Sequence, residues 1–286
     1  MSKRLIINAD DFGIHPAVNE AVCKAYREGV LTSTSLMAGG DYFDEAVEMA
    51  HSLDGIGIGV HLTLVGGVKT VLPPSEVRSL TWEDGLLCKD YIELIQRDLK
   101  GQINAEDVYA EWDAQIQKVL QTGLPVTHID GHQHMHMWNH FFPITLALAK
   151  KYHIHCMRVP DEDLFFGFSL KNAFRFAAKD GLSLMARMHR RALFKNGIFC
   201  NDHFWGMLYG GHLHEERLQH LIQKAGKGVN EIMCHPSADQ NAMEKTFYWG
   251  YQGERELQGL LSCEVKAQIR QNGIELISYQ DVYTGE

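Results

Sequence analysis

The sequence has no closely spaced pair of cysteines. Its six cysteines are scattered through 286 residues, and none belongs to a C-x-x-C motif. A disulfide framework or a redox motif would need short, regular spacings, which are missing here. Isolated thiols of this kind indicate reduced and mostly buried side chains, so we expect a cytoplasmic protein.

An excess of basic residues and a long apolar run are also missing. Lys and Arg total 27 against 36 Asp and Glu, which gives a net charge of −9. Such a surface repels phosphate backbones and anionic lipids, and it argues against a nucleic-acid or membrane partner. The stretch MSKRLIINADDFG has only a short apolar segment before two aspartates, so we expect neither a signal peptide nor a membrane span there.

What the sequence does contain is a repeated strand–helix order. Strand patterns such as RLIINAD, GIGIGVHLTL and GVNEIMCHP alternate with amphipathic stretches such as AVNEAVCKAYREG. This order predicts an α/β fold with a parallel sheet, and roughly seven to eight such units predict closure into a barrel. We find no linker or internal repeat, so we expect one domain over residues 1–286, with insertions at about 71–103 and 161–212 where the rhythm breaks.

Local patterns predict individual elements within this order. HIHCMRVP predicts a strand, and ELQGLLSCEVKAQIRQNG predicts a helix. Asn104 is expected to cap a helix, because an amide side chain there can accept a hydrogen bond from the first helical turn. The apolar residues of that helix fall on one face, namely Val108, Trp112, Ile116 and Val119.

Polar residues typical of metal sites follow several of the predicted strands. In parallel α/β folds, the carboxyl ends of the strands carry the chemistry. The residues at these ends are Asp10 and Asp11 after the first strand, His61 after the third, His128, Asp130 and His132 after the fourth, Arg158 after the fifth and His235 after a later one. Each alone has an ordinary structural explanation, such as a helix cap or a buried histidine, but their shared position indicates one site.

The stretch THIDGHQHMHM at residues 127–137 contains four histidines and an aspartate. Because strand side chains alternate, His128, Asp130 and His132 project to one side if the strand continues that far. Imidazoles and a carboxylate suit a divalent metal such as zinc. We expect one direct ligand in this stretch, with the other residues orienting it or lining the pocket. His128, Asp130 and His134 are the candidates for contacts with substrate.

Four motifs together resemble those of the YdjC-like carbohydrate deacetylases, which include chito-oligosaccharide deacetylases. They are NADDFG, HLTL, THIDGHQHMHM and CHPS, they occur in the family's order, and they span residues 8–237. The resemblance implies a distorted (β/α) barrel and one divalent metal ion, Mg²⁺ or Zn²⁺. It also implies hydrolysis of an N-acetyl group from an amino sugar, so the expected partner is a small N-acetylated carbohydrate.

The resemblance also implies roles for individual residues. Asp11, His61 and His132 would hold the metal, Asp10 would act as the general base, and His235 would act as the general acid. The residue types suit this chemistry, because an amide resists attack by neutral water. A metal with open positions polarises a carbonyl, and a nearby carboxylate can accept the proton of the attacking water.

Two further residues bear on the surroundings of the predicted site. Arg158 either pairs with Asp10 and keeps it ionised, or is an ordinary surface arginine beside Asp161 and Glu162. Gly131 departs from the family pattern, in which serine is common, so a neighbour of the ligands differs in shape.

Two other functions are also compatible with parts of the sequence. An H-x-H pattern within HQHMH is typical of amidohydrolase barrels, although those proteins carry it on the first strand. A non-catalytic sugar- or metal-binding protein is the other alternative, although every motif position is filled here. Proteins of the resembled family are often dimers, which makes a homodimer the expected assembly.

Overall fold

A parallel sheet forms the centre of the fold. The computed structural model describes residues 2–164, 166 and 173–284. These residues contain seven strands: β1 (Lys3–Phe12), β2 (Ser33–Leu36), β3 (Gly57–Leu62), β4 (Val126–Gly131), β5 (His203–Trp205), β6 (Gly228–Cys234) and β7 (Ile274–Leu276). All strand pairs are parallel, in the order β4-β3-β2-β1-β6-β5, and β7 also pairs with β1.

Helices connect the strands. They are α1 (Pro16–Glu28), α2 (Phe43–Ala50), α3 (Tyr91–Leu99), α4 (Ala105–Gln121), α5 (Phe142–Lys151), α6 (Ala173–Lys195), α7 (Glu215–Lys224), α8 (Gln240–Phe247), α9 (Gly253–Leu261), α10 (Cys263–Gln271) and α11 (Tyr279–Thr284), and a 3-10 segment (His132–Met137) follows β4 directly. In the part of the chain that the structure describes, no helix is both long enough and apolar enough to cross a membrane.

Short bridges join the two edges of the sheet and give a distorted barrel. Ile129 of β4 pairs with Met157, and Cys156 pairs with Phe199, four residues before β5. Met157 N donates to the Phe199 carbonyl, and Arg158 N donates to the Ile129 carbonyl. The predicted α/β barrel of parallel strands is therefore confirmed, with seven strands in the described residues.

The segment HIHCMRVP forms isolated bridges where a regular strand was predicted. At the end of this segment, the Asn201 side chain takes the place of a neighbouring strand. Val159 N donates to Asn201 Oδ1 at 2.8 Å, and Asn201 Nδ2 donates to the Val159 carbonyl at 2.9 Å. Since these backbone groups are satisfied by a side chain, the ladder stops at Met157.

The stretch ELQGLLSCEVKAQIRQNG forms two helices where one was predicted. The Ser262 hydroxyl accepts hydrogen bonds from Glu264 N and Val265 N and so caps α10. A serine in this position offers the backbone an alternative to continuing the preceding helix. The predicted Asn104 cap is confirmed, since its side chain accepts from Glu106 N.

The core lies on both sides of the sheet. β1 is buried from Leu5 onward, and β2, β3 and β6 are buried along their whole length. The predicted apolar face of α4 is confirmed, because all four of its residues are completely buried: Val108, Trp112, Ile116 and Val119. Residues 71–103 contain α3, and bridges from Lys69 to Leu86 and from Thr81 to Leu87 hold the irregular part of this segment.

Candidate active site

An irregularity at the end of β1 brings two consecutive aspartates to one place. The pairing of β1 with β2 shifts between Ala9 and Phe12, and Asp11 has a φ of +66°. The two aspartates were expected to follow the first strand, but β1 continues through Phe12 and the backbone changes direction at Asp11 itself. Asp10 and Asp11 therefore line the same small cavity. A non-glycine residue in the left-handed region is strained, which is frequent at functional sites.

The structure brings together the three residues expected to bind metal. The ligand atoms of Asp11, His61 and His132 all lie within 4.8 Å of one another, and the three residues are buried. Asp11 Oδ1 is 3.3 Å from His61 Nε2 and 2.8 Å from His132 Nδ1. Two imidazoles and one carboxylate form a donor set suited to a divalent metal with open coordination positions.

Asp130 fixes the orientation of His61 within this cluster. Asp130 Oδ1 lies 2.8 Å from His61 Nδ1, so that nitrogen donates its hydrogen to the carboxylate. The buried Nε2 atoms of His61 and His132 have no hydrogen-bond partner among the described residues. A histidine that donates one ring N–H to a carboxylate and leaves its other ring nitrogen unpartnered has the common arrangement of a metal ligand. These residues therefore fit a divalent metal.

The cluster also attracts positive charge. Burial opposes a charged His61, but Asp130, Asp11 and Asp10 outweigh this effect and raise the pKa of His61 to about 10. Burial raises the pKa of Asp11, whereas His132 and His61 lower it, and the resulting pKa lies well below the usual value. A proton on His61 and a metal cation are thus alternative ways to balance the same carboxylates.

Arg158 is a fully buried cation that joins three carboxylates. Its two terminal nitrogens each donate to one oxygen of Asp10 at 2.7 Å, Nη1 is also 2.8 Å from Asp130 Oδ2, and Nε donates to Glu231 Oε1 at 2.7 Å. Burial raises the pKa of Glu231 to about 7 even though Arg158 and Tyr279 lower it. The bidentate contact holds the Asp10 carboxylate in one orientation.

The alternative of a surface arginine is wrong. Arg158 has no exposed surface. Asp161 instead pairs with Arg187, and Glu162 accepts hydrogen bonds from Gly206 N and Leu208 N.

His235 follows β6 and is half-buried. Its backbone nitrogen donates to Glu256 Oε2, its ring lies 5.0 Å from the ring of Tyr251, and its Nδ1 has no hydrogen-bond partner among the described residues. His235 and Asp10 both line two neighbouring cavities. The proposed base and the proposed acid are therefore accessible from the same space.

A cavity of about 490 Å³ opens beside these residues. Among its lining residues are His132 and His134 from the 3-10 segment, Ile95 from α3 and Met185 from α6. This volume is within the range of small-molecule sites. Burial is the main reason that the pKa of His134 lies well below its usual value, so this ring faces the cavity in its neutral form.

Two of the three candidate substrate contacts lie elsewhere. His128 and Asp130 have no exposed surface, and neither lines the cavity. The His128 ring stacks on Tyr279 at 3.9 Å, and its Nδ1 lies 2.9 Å from Thr127 Oγ1. Burial lowers the pKa of His128 to about 3. His128 and Asp130 therefore contact other side chains of the protein and not the cavity.

Sequence reasoning missed several residues of the site. Glu231 lies in the middle of the buried strand β6, where an acidic residue among apolar neighbours was the available signal. Trp249 and Tyr251 come from the stretch FYWGYQG, whose density of aromatic residues and glycines was another. The Trp249 ring is 5.7 Å from the His132 ring.

Two known proteins are similar to this chain over nearly its whole length. A carbohydrate deacetylase from Enterococcus faecalis is 33% identical, with 98% of each chain covered. A chitooligosaccharide deacetylase from Salmonella paratyphi B is 29% identical, with 99% of this chain and 100% of the other covered.

A solved structure and a family model also match most of the chain. A crystal structure of a proposed cellobiose-phosphate cleavage protein from Enterococcus faecalis superposes with a TM-score of 0.78 at 32% identity, covering 98% of this chain and 99% of the other. The model described as "YdjC-like protein" matches residues 4–271. With most of its length matched, the chain belongs to the YdjC-like protein family.

Proposed function

We propose that this protein is a metal-dependent hydrolase that removes the N-acetyl group from an amino sugar or chito-oligosaccharide and releases acetate. The observation that carries the proposal is the buried cluster of Asp11, His61 and His132 beside the Asp10–Arg158 ion pair, next to a cavity large enough for a sugar. Similar proteins named carbohydrate deacetylase and chitooligosaccharide deacetylase support the choice of an acetylated sugar.

The cluster of Asp11, His61 and His132 is the proposed metal site. A divalent metal held there would supply positive charge that polarises the acetamide carbonyl and lowers the pKa of water. Asp130 orients His61 through its Nδ1 and so sets which ring nitrogen faces the site. The donor set suits Zn²⁺, and Mg²⁺ is the other candidate.

Asp10 is the proposed general base. Its carboxylate, held by both terminal nitrogens of Arg158 and by Asn8 Nδ2 at 2.9 Å, accepts the proton of the attacking water. General-base catalysis of this kind contributes about 10²–10⁴-fold to a rate. Because Arg158 fixes both carboxylate oxygens, Asp10 accepts the proton without first changing its orientation.

His235 is the proposed general acid. Its half-buried ring and its place on both cavities suit a proton donor to the nitrogen that leaves with the sugar. In the complete reaction, the carbonyl carbon gains an oxygen from water, the carbon–nitrogen bond breaks, and the amine takes the proton. The products are acetate and a free amino sugar.

The proposal also covers the location, domain organisation, partner and assembly of the protein. The protein acts in the cytoplasm as one domain over residues 1–286, its partner is a small N-acetylated carbohydrate, and it assembles as a homodimer. Its net charge of −9 supports a partner other than a nucleic acid.

Acetate release tests the proposal. The protein is incubated with N-acetylated mono-, di- and trisaccharides of glucosamine after chelation, and again after addition of Mg²⁺, Zn²⁺, Mn²⁺ or Co²⁺. We expect acetate only after metal is restored. Sugar binding without acetate release under every condition would contradict an enzyme and favour a binding protein, whereas release from other amides alone would favour a different amidohydrolase.

A further inference from the structure

Two cavities of very different size meet at the proposed reactive residues. The larger measures about 490 Å³ and the smaller about 20 Å³. Asp10, His235 and Tyr251 line both of them, while Asp11 lines the smaller one. The reactive groups therefore lie at the boundary between a large chamber and a small one.

We propose that the smaller cavity is an acyl pocket, which holds the methyl group of the acetyl group and limits the substrate to short acyl chains. This inference rests on the proposed deacetylation and adds which acyl groups the enzyme accepts. It assigns a specificity role to Val18 of α1, Met243 and Phe247 of α8, and Trp249.

The small cavity suits the methyl end of an acetyl group. It measures about 20 Å³ against about 490 Å³ for the larger cavity, so it admits a small apolar group and excludes a sugar ring. Its walls include the apolar side chains of Val18, Met243, Phe247 and Trp249. An apolar wall favours a methyl group over water.

The shape of an N-acetylated sugar matches the arrangement of the two cavities. The carbonyl carbon of the acetamide has a methyl group on one side and the nitrogen with its sugar on the other. A sugar ring fits only in the larger cavity, which leaves the smaller one for the methyl group. The carbonyl carbon then lies between them, beside Asp10 and His235.

Aromatic packing holds one wall of the small cavity in place. The Trp249 ring stacks on Phe247 at 4.6 Å and lies 5.3 Å from Tyr251. Tyr251 in turn lies against Gly211, where a Cβ atom would be only 2.1 Å from the Tyr251 ring. Because these rings support one another, the cavity keeps its size, and Met243 on α8 is the flexible wall residue whose truncation enlarges it.

Met243→Ala tests the acyl pocket. Acetate and propionate release are compared on glucosamine disaccharides that carry N-acetyl or N-propionyl groups, with metal bound. An apolar pocket discriminates one methylene by about 10-fold or more, so the wild-type protein should prefer the acetyl substrate by at least that factor. Met243→Ala should lower the acetyl-to-propionyl ratio of kcat/KM by about 10-fold. Thr246→Ala, at an exposed position on the same helix, is the control and should keep the wild-type ratio.

Val18→Leu is an independent variant that fills the pocket. It should lower kcat/KM for the acetyl substrate relative to the N-formyl substrate, which has a hydrogen in place of the methyl group. Circular dichroism establishes that each variant is folded. Unchanged ratios in both folded variants, with wild-type acetate release intact, would overturn the acyl pocket alone. Absence of acetate release by the wild-type protein would overturn the proposed function and the pocket together.

Discussion

Asp10 and Asp11 are neighbours in the chain but have different partners. Asp10 contacts Arg158, and Asp11 contacts His61 and His132. The adjacent motif could be recognised in the sequence, but the separation of the two carboxylates depends on the φ of +66° at Asp11. No pattern of residue types predicts that value, because asparagine and aspartate adopt it only in particular contexts.

Substitution by asparagine should separate the two roles. Asn keeps the size of the side chain but cannot accept a proton at neutral pH. Asp10→Asn should keep the metal and lose about 10²–10⁴-fold in turnover, whereas Asp11→Asn should also lose metal affinity. Metal content and acetate release are measured on both variants. If Asp10→Asn is metal-bound and turns over at the wild-type rate, Asp10 is not the base.

Arg158 should be needed for both turnover and stability. Lysine keeps the charge but cannot form the bidentate contact, so Arg158→Lys should bind metal normally and release acetate more slowly. Arg158→Met leaves Asp10, Asp130 and Glu231 buried without a cation, which should lower the free energy of unfolding by about 3–5 kcal/mol.

The measurements are kcat, metal content and urea unfolding. Arg187→Lys is the matched control, because the Arg187 side chain is partly exposed and its ion pair with Asp161 lies outside the site. Equal kcat values for Arg158→Lys and Arg187→Lys would show that the bidentate contact has no role in turnover.

At the level of secondary structure, elements with strong local signals could be predicted and those that depend on neighbours could not. The apolar stripe of α4 and its Asn104 cap are local patterns, and both are present. The three-residue strand β5 and the break at Ser262 depend on what lies beside them. In HIHCMRVP, the strand pattern is overridden by the Asn201 side chain.

His128 is buried against Tyr279, in a contact that joins β4 to α11, and its burial should make stability depend on pH. The folded protein keeps His128 neutral, with a pKa of about 3, whereas the unfolded chain binds a proton below about 6.5. Stability is therefore lost as the pH falls from about 6.5 toward 3, by roughly 1.4 kcal/mol per pH unit from this group.

His128→Phe keeps an aromatic ring but cannot be protonated. As the pH falls from 7 to 5, the wild-type protein should lose more of its unfolding free energy than this variant does. Urea unfolding at each pH measures both values. His51→Phe, at an exposed position, is the matched control and should keep the pH dependence of the wild type. Parallel curves for wild type and His128→Phe would contradict a neutral, buried His128.

For the whole molecule, the parallel direction of the strands explains why the strand-end residues could be grouped from the sequence. Parallel strands place their carboxyl ends at one edge, so Asp11, His61 and His132 converge although they are far apart in the chain. The cavity could not be predicted in the same way, since α3 and α6, which form part of its wall, lie in the irregular segments 71–103 and 161–212.

The rate of acetate release as a function of bound metal shows whether hydrolysis depends on one metal ion. Metal-free protein is titrated with Zn²⁺ or Mg²⁺, and bound metal per chain is measured alongside acetate release from a diacetylated glucosamine disaccharide. We expect a rate that rises in proportion to bound metal and reaches its maximum at one ion per chain, with the Asp11→Asn variant failing to reach that occupancy. Full acetate release by metal-free protein, or none at one ion per chain, would contradict it.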